Sequence, residues 1–114
     1  MILSEAIEEV RRLSSLLEEG LKVLRQASYD VAEAERDYRK AKSLAWLEVE
    51  GTAGERAAHV DAKTADLRFE RDVQEGLRRA AIESVRARTT QISMYQTLVN
   101  AHRAEAELAG KGPQ

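Results

Sequence analysis

The chain has 114 residues, of which 33% are charged and 4% aromatic, with no cysteine and a single proline. Hydrophobic residues reach 43%, but eighteen of them are alanine, so bulky apolar content is modest. These figures exclude a disulfide framework or cysteine metal site, a membrane-spanning helix, and more than one domain. The net charge of −2 divides into −3 over residues 1–50 and +1 over 51–114. Neither half is a polybasic arm or an acidic tail, so no strong field steers the protein to nucleic acid or a membrane. Arginine outnumbers lysine thirteen to five, which reads as the codon bias of a GC-rich genome.

The N-terminal Met1-Ile2-Leu3-Ser4-Glu5 lacks the pattern of a secretory leader. With the lack of cysteine, this gives the expectation of a cytoplasmic protein. Ser4 is followed by Glu5, Glu8 and Glu9, so it is the expected cap of a first helix over about 4–49, with the carboxylates near the positive end of its dipole. The apolar positions Ile7, Val10, Leu13, Leu17, Leu21, Leu24, Ala27, Val31, Ala34, Tyr38, Ala41, Ala45 and Val49 recur at a mean of 3.5 residues. Such a seam stays on one side only when the helix winds left-handed around a partner. At roughly 69 Å, such a helix is too long for a single amphipathic element of a globular bundle.

Gly51-Thr52-Ala53-Gly54 is the one stretch that reads as a connection, with the turn expected at about 50–53. Thr52 and Glu55 have the spacing of a capping box, which starts a second helix over about 53–109. This helix carries two adjacent apolar lines. One runs Val60, Thr64, Leu67, Val73, Leu77, Ala80, Ser84, Ala87, Met94, Leu98, Ala101; the other runs Ala81, Val85, Ile92, Tyr95, Val99. That width exceeds what one partner helix needs and suits a bundle. Residues 110–114 read as a disordered tail.

Folding back at residues 51–52 puts Tyr38 near Ala65, Leu17 near Arg86, Ile7 near Gln96 and Ala27 opposite Gly76, the last a close approach of two small residues. The fold class expected is all-α: a single long antiparallel helical hairpin, or coiled coil, over residues 1–109, assembling as a dimeric four-helix bundle. Ile92, Met94, Tyr95, Leu98 and Val99 form the expected oligomer seam.

Chemistry-bearing patterns are sparse. The two histidines, His59 and His102, fall in neither a HExxH nor a Glu-x-x-His pattern, which removes a metalloprotease helix and a di-iron bundle. Glu55 and His59, at i and i+4, could share a helix face and with Asp61 hold a surface metal weakly, but they read as a solvated capping turn. The glycines of the connection lack the lysine and preceding strand of a phosphate loop. The expectation is no catalytic residue, no metal and no cofactor. Arg68, Arg71, Arg78, Arg79 and Arg86 fall within about a 100° arc of helix two, a line that could follow a phosphate backbone. Glu75 sits inside that arc, so the alternative is an ion-paired face. Leu44, Trp46 and Leu47 spread apolar surface around the tip of the hairpin. The plain expectation packs them under the turn against Ala57, Ala58 and Val60, and the sharper one makes them a partner-binding tip.

Tyr38-Arg39-Lys40-Ala41-Lys42-Ser43-Leu44-Ala45-Trp46-Leu47, then Gly51-Thr52-Ala53-Gly54-Glu55-Arg56 and Ala62-Lys63-Thr64-Ala65-Asp66, resemble a group of small helical-hairpin proteins of tailed bacteriophages, often encoded near recombination or replication genes. The likeness covers about residues 30–75. It implies a phage origin, a place in the host cytoplasm and an early role outside the virion; it assigns no catalytic or binding residue. The function expected is therefore non-enzymatic: a hairpin acting through self-association and contact with a host or phage protein. The alternatives are an accessory nucleic-acid-binding protein in phage recombination or replication, and a structural coiled coil in virion assembly.

Overall fold

Two helices, α1 over Leu3–Leu47 and α2 over Ala53–Gly110, make up the fold in a computed structural model that describes residues 1–110. The architecture is the expected all-α antiparallel hairpin. Its ends differ from the sequence reading in instructive ways. The N–H of Ala6 donates to the carbonyl of Ile2 at 3.1 Å, so Ile2 takes the capping position and Ser4 lies inside the first turn of α1. α1 stops at Leu47, two residues short of the expected end, because the Glu48 N–H turns back to the Ala45 carbonyl at 3.3 Å and tightens the last turn. Gly51 follows with a φ of 146°, a conformation that favours glycine.

The start of α2 shows the Thr52 half of the expected capping box. Thr52 Oγ1 accepts the Glu55 N–H at 3.2 Å, and the Arg56 N–H donates to the Thr52 carbonyl at 3.0 Å. The Glu55 carboxylate folds back over Gly51. α2 continues to Gly110, so the first residue of the expected tail is helical, and 111–114 lie outside the described residues.

Among the covered positions of α1, Leu3, Ala6, Val10, Leu13, Leu17, Gly20, Leu24, Ala27, Val31, Ala34, Tyr38, Ala41 and Ala45 form an unbroken alternation of three and four, flanked by half-buried Ile7, Glu9, Ser14, Asp30 and Glu35. This is a heptad seam. Its phase corrects the expected line at two places. Ala6 is buried where Ile7 was expected, and Gly20 is half-buried beside Leu21, which is 42% exposed. On α2 the same alternation runs through Val60, Thr64, Leu67, Arg71, Gln74, Arg78, Ala81, Val85, Arg88, Ile92, Tyr95, Val99 and His102, of which only Leu67 is exposed, at 37%. Of the two apolar lines, the second therefore belongs to this seam. Most of the first stays exposed from Val73 onward: Val73, Leu77, Met94 and Leu98 are 39%, 56%, 63% and 42% exposed.

The chain divides into two units, each built from both helices: Met1–Lys22 with Ile82–Gln114, and Val23–Ala81. In the first unit, Ile7 borders a groove with Gln96, Val99 and Arg103, and a Cβ at Gly20 would meet Val85 Cγ2 at 3.5 Å, an ordinary contact. The buried side chains here are Ala6, Leu13 and Val99. In the second unit they are Ala27, Ala45, Val60, Ala81 and Thr64, the last donating its hydroxyl to the Val60 carbonyl at 2.7 Å. Tyr38 meets Arg71 rather than Ala65, the guanidinium lying 4.5 Å from the ring centre. Ala27 shares a groove with Leu77, Ala80 and Ala81. The heptad positions of α2, not the midpoint of the turn, decide what faces α1.

That register removes the expected close approach at Gly76. A Cβ added there meets nothing within 4 Å. Gly76→Ala is accordingly expected to raise stability by about 0.5–1 kcal/mol, since glycine inside a helix costs backbone entropy without return. The midpoint of urea unfolding reads this out, and a lowered midpoint would restore a packing role to Gly76.

Candidate interaction surfaces

The arginine line of α2 does not form one free face. Arg71 and Arg78 occupy seam positions and are half-buried. Arg71 donates to Asp72 at 3.1 Å, lies 3.7 Å from Glu35 of α1 and stacks on Tyr38. Arg78 holds Glu75 at 2.8 Å, and Arg79 approaches the same carboxylate at 3.4 Å. The Arg78 hydrogen bond keeps the Glu75 carboxyl below the usual carboxylate range, with Arg79 adding to it. Arg68 lies 3.9 Å from Asp61, and Arg86 pairs with Glu83 at 2.9 Å. Exposed pairs of this kind are weak in water, so they impose no large barrier to phosphate. Arg71 and Arg78 are a stronger obstacle, because both are half-buried, Arg71 against Glu35 and Tyr38 of α1 and Arg78 on Glu75 of its own helix. Among the described residues no group of three or more His, Cys, Asp and Glu side chains is placed to hold a metal ion.

At the tip, Leu44, Trp46 and Leu47 are 54%, 39% and 79% exposed. Ala57 and Ala58 are exposed too, so the expected burial of the tip under the turn does not occur. Trp46 is covered instead by Arg56, whose guanidinium sits 5.6 Å from the ring centre. The stacking leaves Arg56 Nε buried with no hydrogen-bond partner.

A polar clasp beside the tip was not foreseen. Glu48 Oε2, just past the end of α1, lies 3.1 Å from His59 Nε2 and 3.6 Å from Lys63 Nζ, both on α2. The tightened end of α1 swings Glu48 across the turn, and spacing alone gives no sign of it. The His59 hydrogen bond, helped by Lys63, holds the Glu48 carboxyl below its ordinary value. A carboxyl depressed in the folded state contributes stability that is present above its unfolded value and lost as pH falls through its folded one. Glu48→Gln should therefore melt earlier than the unaltered chain at neutral pH. The gap should close below about pH 4, where the ordinary carboxylate titrates. A gap that persists in acid would show that the clasp does not depend on the Glu48 charge.

The five residues of the expected oligomer seam fall on two sides of α2. Ile92 and Tyr95 are half-buried and Val99 is buried in the heptad seam, whereas Met94 and Leu98 remain 63% and 42% exposed. Among the described residues no helix is long and apolar enough to cross a membrane.

Comparison with known protein families, curated proteins and solved structures returned no match. The surfaces themselves therefore carry the functional reading.

Proposed function

We propose that this chain is a non-enzymatic helical hairpin that works by self-association and by contact with another protein. The observation that carries this reading is the unused apolar line of α2. Val73 and Leu77 in one unit, and Met94 and Leu98 in the other, are exposed while the neighbouring seam already satisfies α1. Large exposed apolar groups in register on a helix mark an interaction face rather than a solvated one. The exposed Leu44, Trp46 and Leu47 at the tip offer a second contact point for a partner protein. The likeness of residues 30–75 to tailed-phage hairpin proteins supplies the setting, a phage factor in the host cytoplasm. Accessory nucleic-acid binding is the weaker alternative, since two of its five arginines are engaged with α1 or its own helix in half-buried positions.

Sedimentation equilibrium at micromolar concentration tests the reading. A dimer or larger assembly is the expected result, and a stable monomer overturns it. A salt-dependent gel shift with DNA or RNA would replace it, because phosphate contacts weaken steeply with salt.

A further inference from the structure

Most long polar side chains of α2 are engaged with a neighbour on the same helix. Gln74 donates to Glu70 at 3.0 Å, Arg78 holds Glu75, Arg86 holds Glu83, and Arg88 donates to Gln91 at 3.2 Å. Beyond Gln91 the described residues add one side-chain hydrogen bond, from Thr97 to the Ser93 carbonyl. Among the described residues, Gln96, Asn100 and Arg103 therefore have no hydrogen-bonding or ion-pairing side-chain partner. The sequence explains this. No Asp or Glu stands three or four residues from Gln96 or Asn100, and the one so placed beside Arg103 is Glu107, on its C-terminal side, the weaker order for a helical pair. The three lie at i, i+4 and i+7, on one side of the helix. That side borders a groove of about 440 Å³ against α1, inside the unit of Met1–Lys22 with Ile82–Gln114. Buried Val99 and half-buried Ile7 and Val10 give it apolar walls, and Arg11 of α1 adds a second guanidinium. Arg11 Nη1 lies 3.0 Å from Glu8, in a pair exposed at both ends that water keeps weak. A guanidinium carries five N–H donors, so the others stay available. None of the described lining residues is acidic.

We propose that this groove binds a small organic anion, a carboxylate or phosphate group on an apolar body. Its charged end meets the guanidiniums of Arg11 and Arg103, and its apolar body lies along Ile7, Val10 and Val99. Charge selects the ligand. The groove offers cations from both helices and no acid to repel an anion, and a guanidinium fork matches the paired oxygens of a carboxylate or phosphate. The side-chain amides of Gln96 and Asn100 add donors that no group of the protein claims. Size agrees, because pockets for small ligands run from roughly 300 to 1,000 Å³ and combine apolar walls with a few convergent polar groups. The site lies apart from the exposed line of Val73, Leu77, Met94 and Leu98, so it stands or falls independently of self-association.

Methyl NMR of the full chain, titrated with octanoate, octyl phosphate and octan-1-ol, tests the site. Octanoate or octyl phosphate is expected to shift the Ile7, Val10 and Val99 signals to saturation, and the tighter of the two identifies the charged end. Octanol is expected to bind far more weakly. Octanol as tight as both anions overturns the charge argument, and no saturable shift with either anion overturns the site. Shifts confined to Val73, Leu77 and Leu98 overturn the placement, since the probe then sits on the apolar line. Arg103→Met keeps the aliphatic stem and should weaken the anion by about tenfold, the worth of one hydrogen bond to a charged group. Arg25→Met, an exposed arginine of the other unit, should leave binding unchanged. Equal losses in the two variants would mean that general positive charge, not this groove, holds the probe. Glu8→Gln removes the competitor for Arg11 and should tighten binding; a weaker anion in that variant overturns the role given to Arg11.

Discussion

Leu13→Ala is expected to cost about 2–5 kcal/mol, the largest single effect of an apolar truncation in this chain. Leu13 is 1% exposed, and the other buried apolar side chains of its unit are Ala6 and Val99. Each heptad layer of a two-helix seam has few members, so the loss of one leucine removes much of a layer. Leu21→Ala is the matched control: it deletes the same atoms from a side chain that is 42% exposed, and its cost should be well under half as large. Urea unfolding followed by circular dichroism, with all chains at one concentration, measures both. Equal costs would mean that the covered position is not Leu13.

Gly51→Ala should destabilise the hairpin by about 1–3 kcal/mol, the cost of holding a side chain in backbone space that glycine occupies freely. Two separate strains combine at this residue. Its φ of 146° disfavours any Cβ, and a Cβ there would run into the Glu55 carboxylate. The clashing atom is the far end of the flexible Glu55 side chain, which can rotate aside while its backbone N–H keeps the bond to Thr52, so φ carries the larger part. A double-mutant comparison separates the two. Glu55→Ala placed with Gly51→Ala should recover the part due to the clash and leave the part due to φ. Full recovery would show that the backbone relaxes and that φ carries no cost.

The helices, the break between them and the Thr52 cap were legible in the sequence because their signals are local. Glycine punctuation, one capping spacing and a 3.5-residue period need no knowledge of what lies across the hairpin. The phase of the seam was harder. Ile7 and Leu21 are larger than Ala6 and Gly20, and either choice keeps the mean period. Only the strict alternation of three and four selects the smaller residues. On α2 the seam was hidden by chemistry. Arg71, Gln74 and Arg78 hold heptad positions and are half-buried, as long polar side chains with aliphatic stems allow, so an apolar search passes over them to the exposed neighbours Val73 and Leu77. The arginine line was visible as a row of charges, but its division between packing and solvent required the register. The apolar tip was legible from Leu44, Trp46 and Leu47 themselves, but not its exposure, since the plain expectation buried them under the turn. The Glu48–His59 clasp was not, because it depends on α1 ending at Leu47.

The unbroken alternation on α1 from Leu3 to Ala45 makes the hairpin a scale graduated in sevens. A substitution disturbs one mark, whereas removing a single residue turns everything beyond it by about 100° and carries the seam off its partner. Loss of seven residues from each arm, at facing marks, shortens the molecule and returns every side chain to its own side. Length in this chain is thus adjustable only in whole heptads, and a related sequence that differs in length should differ by matched multiples of seven in its two arms.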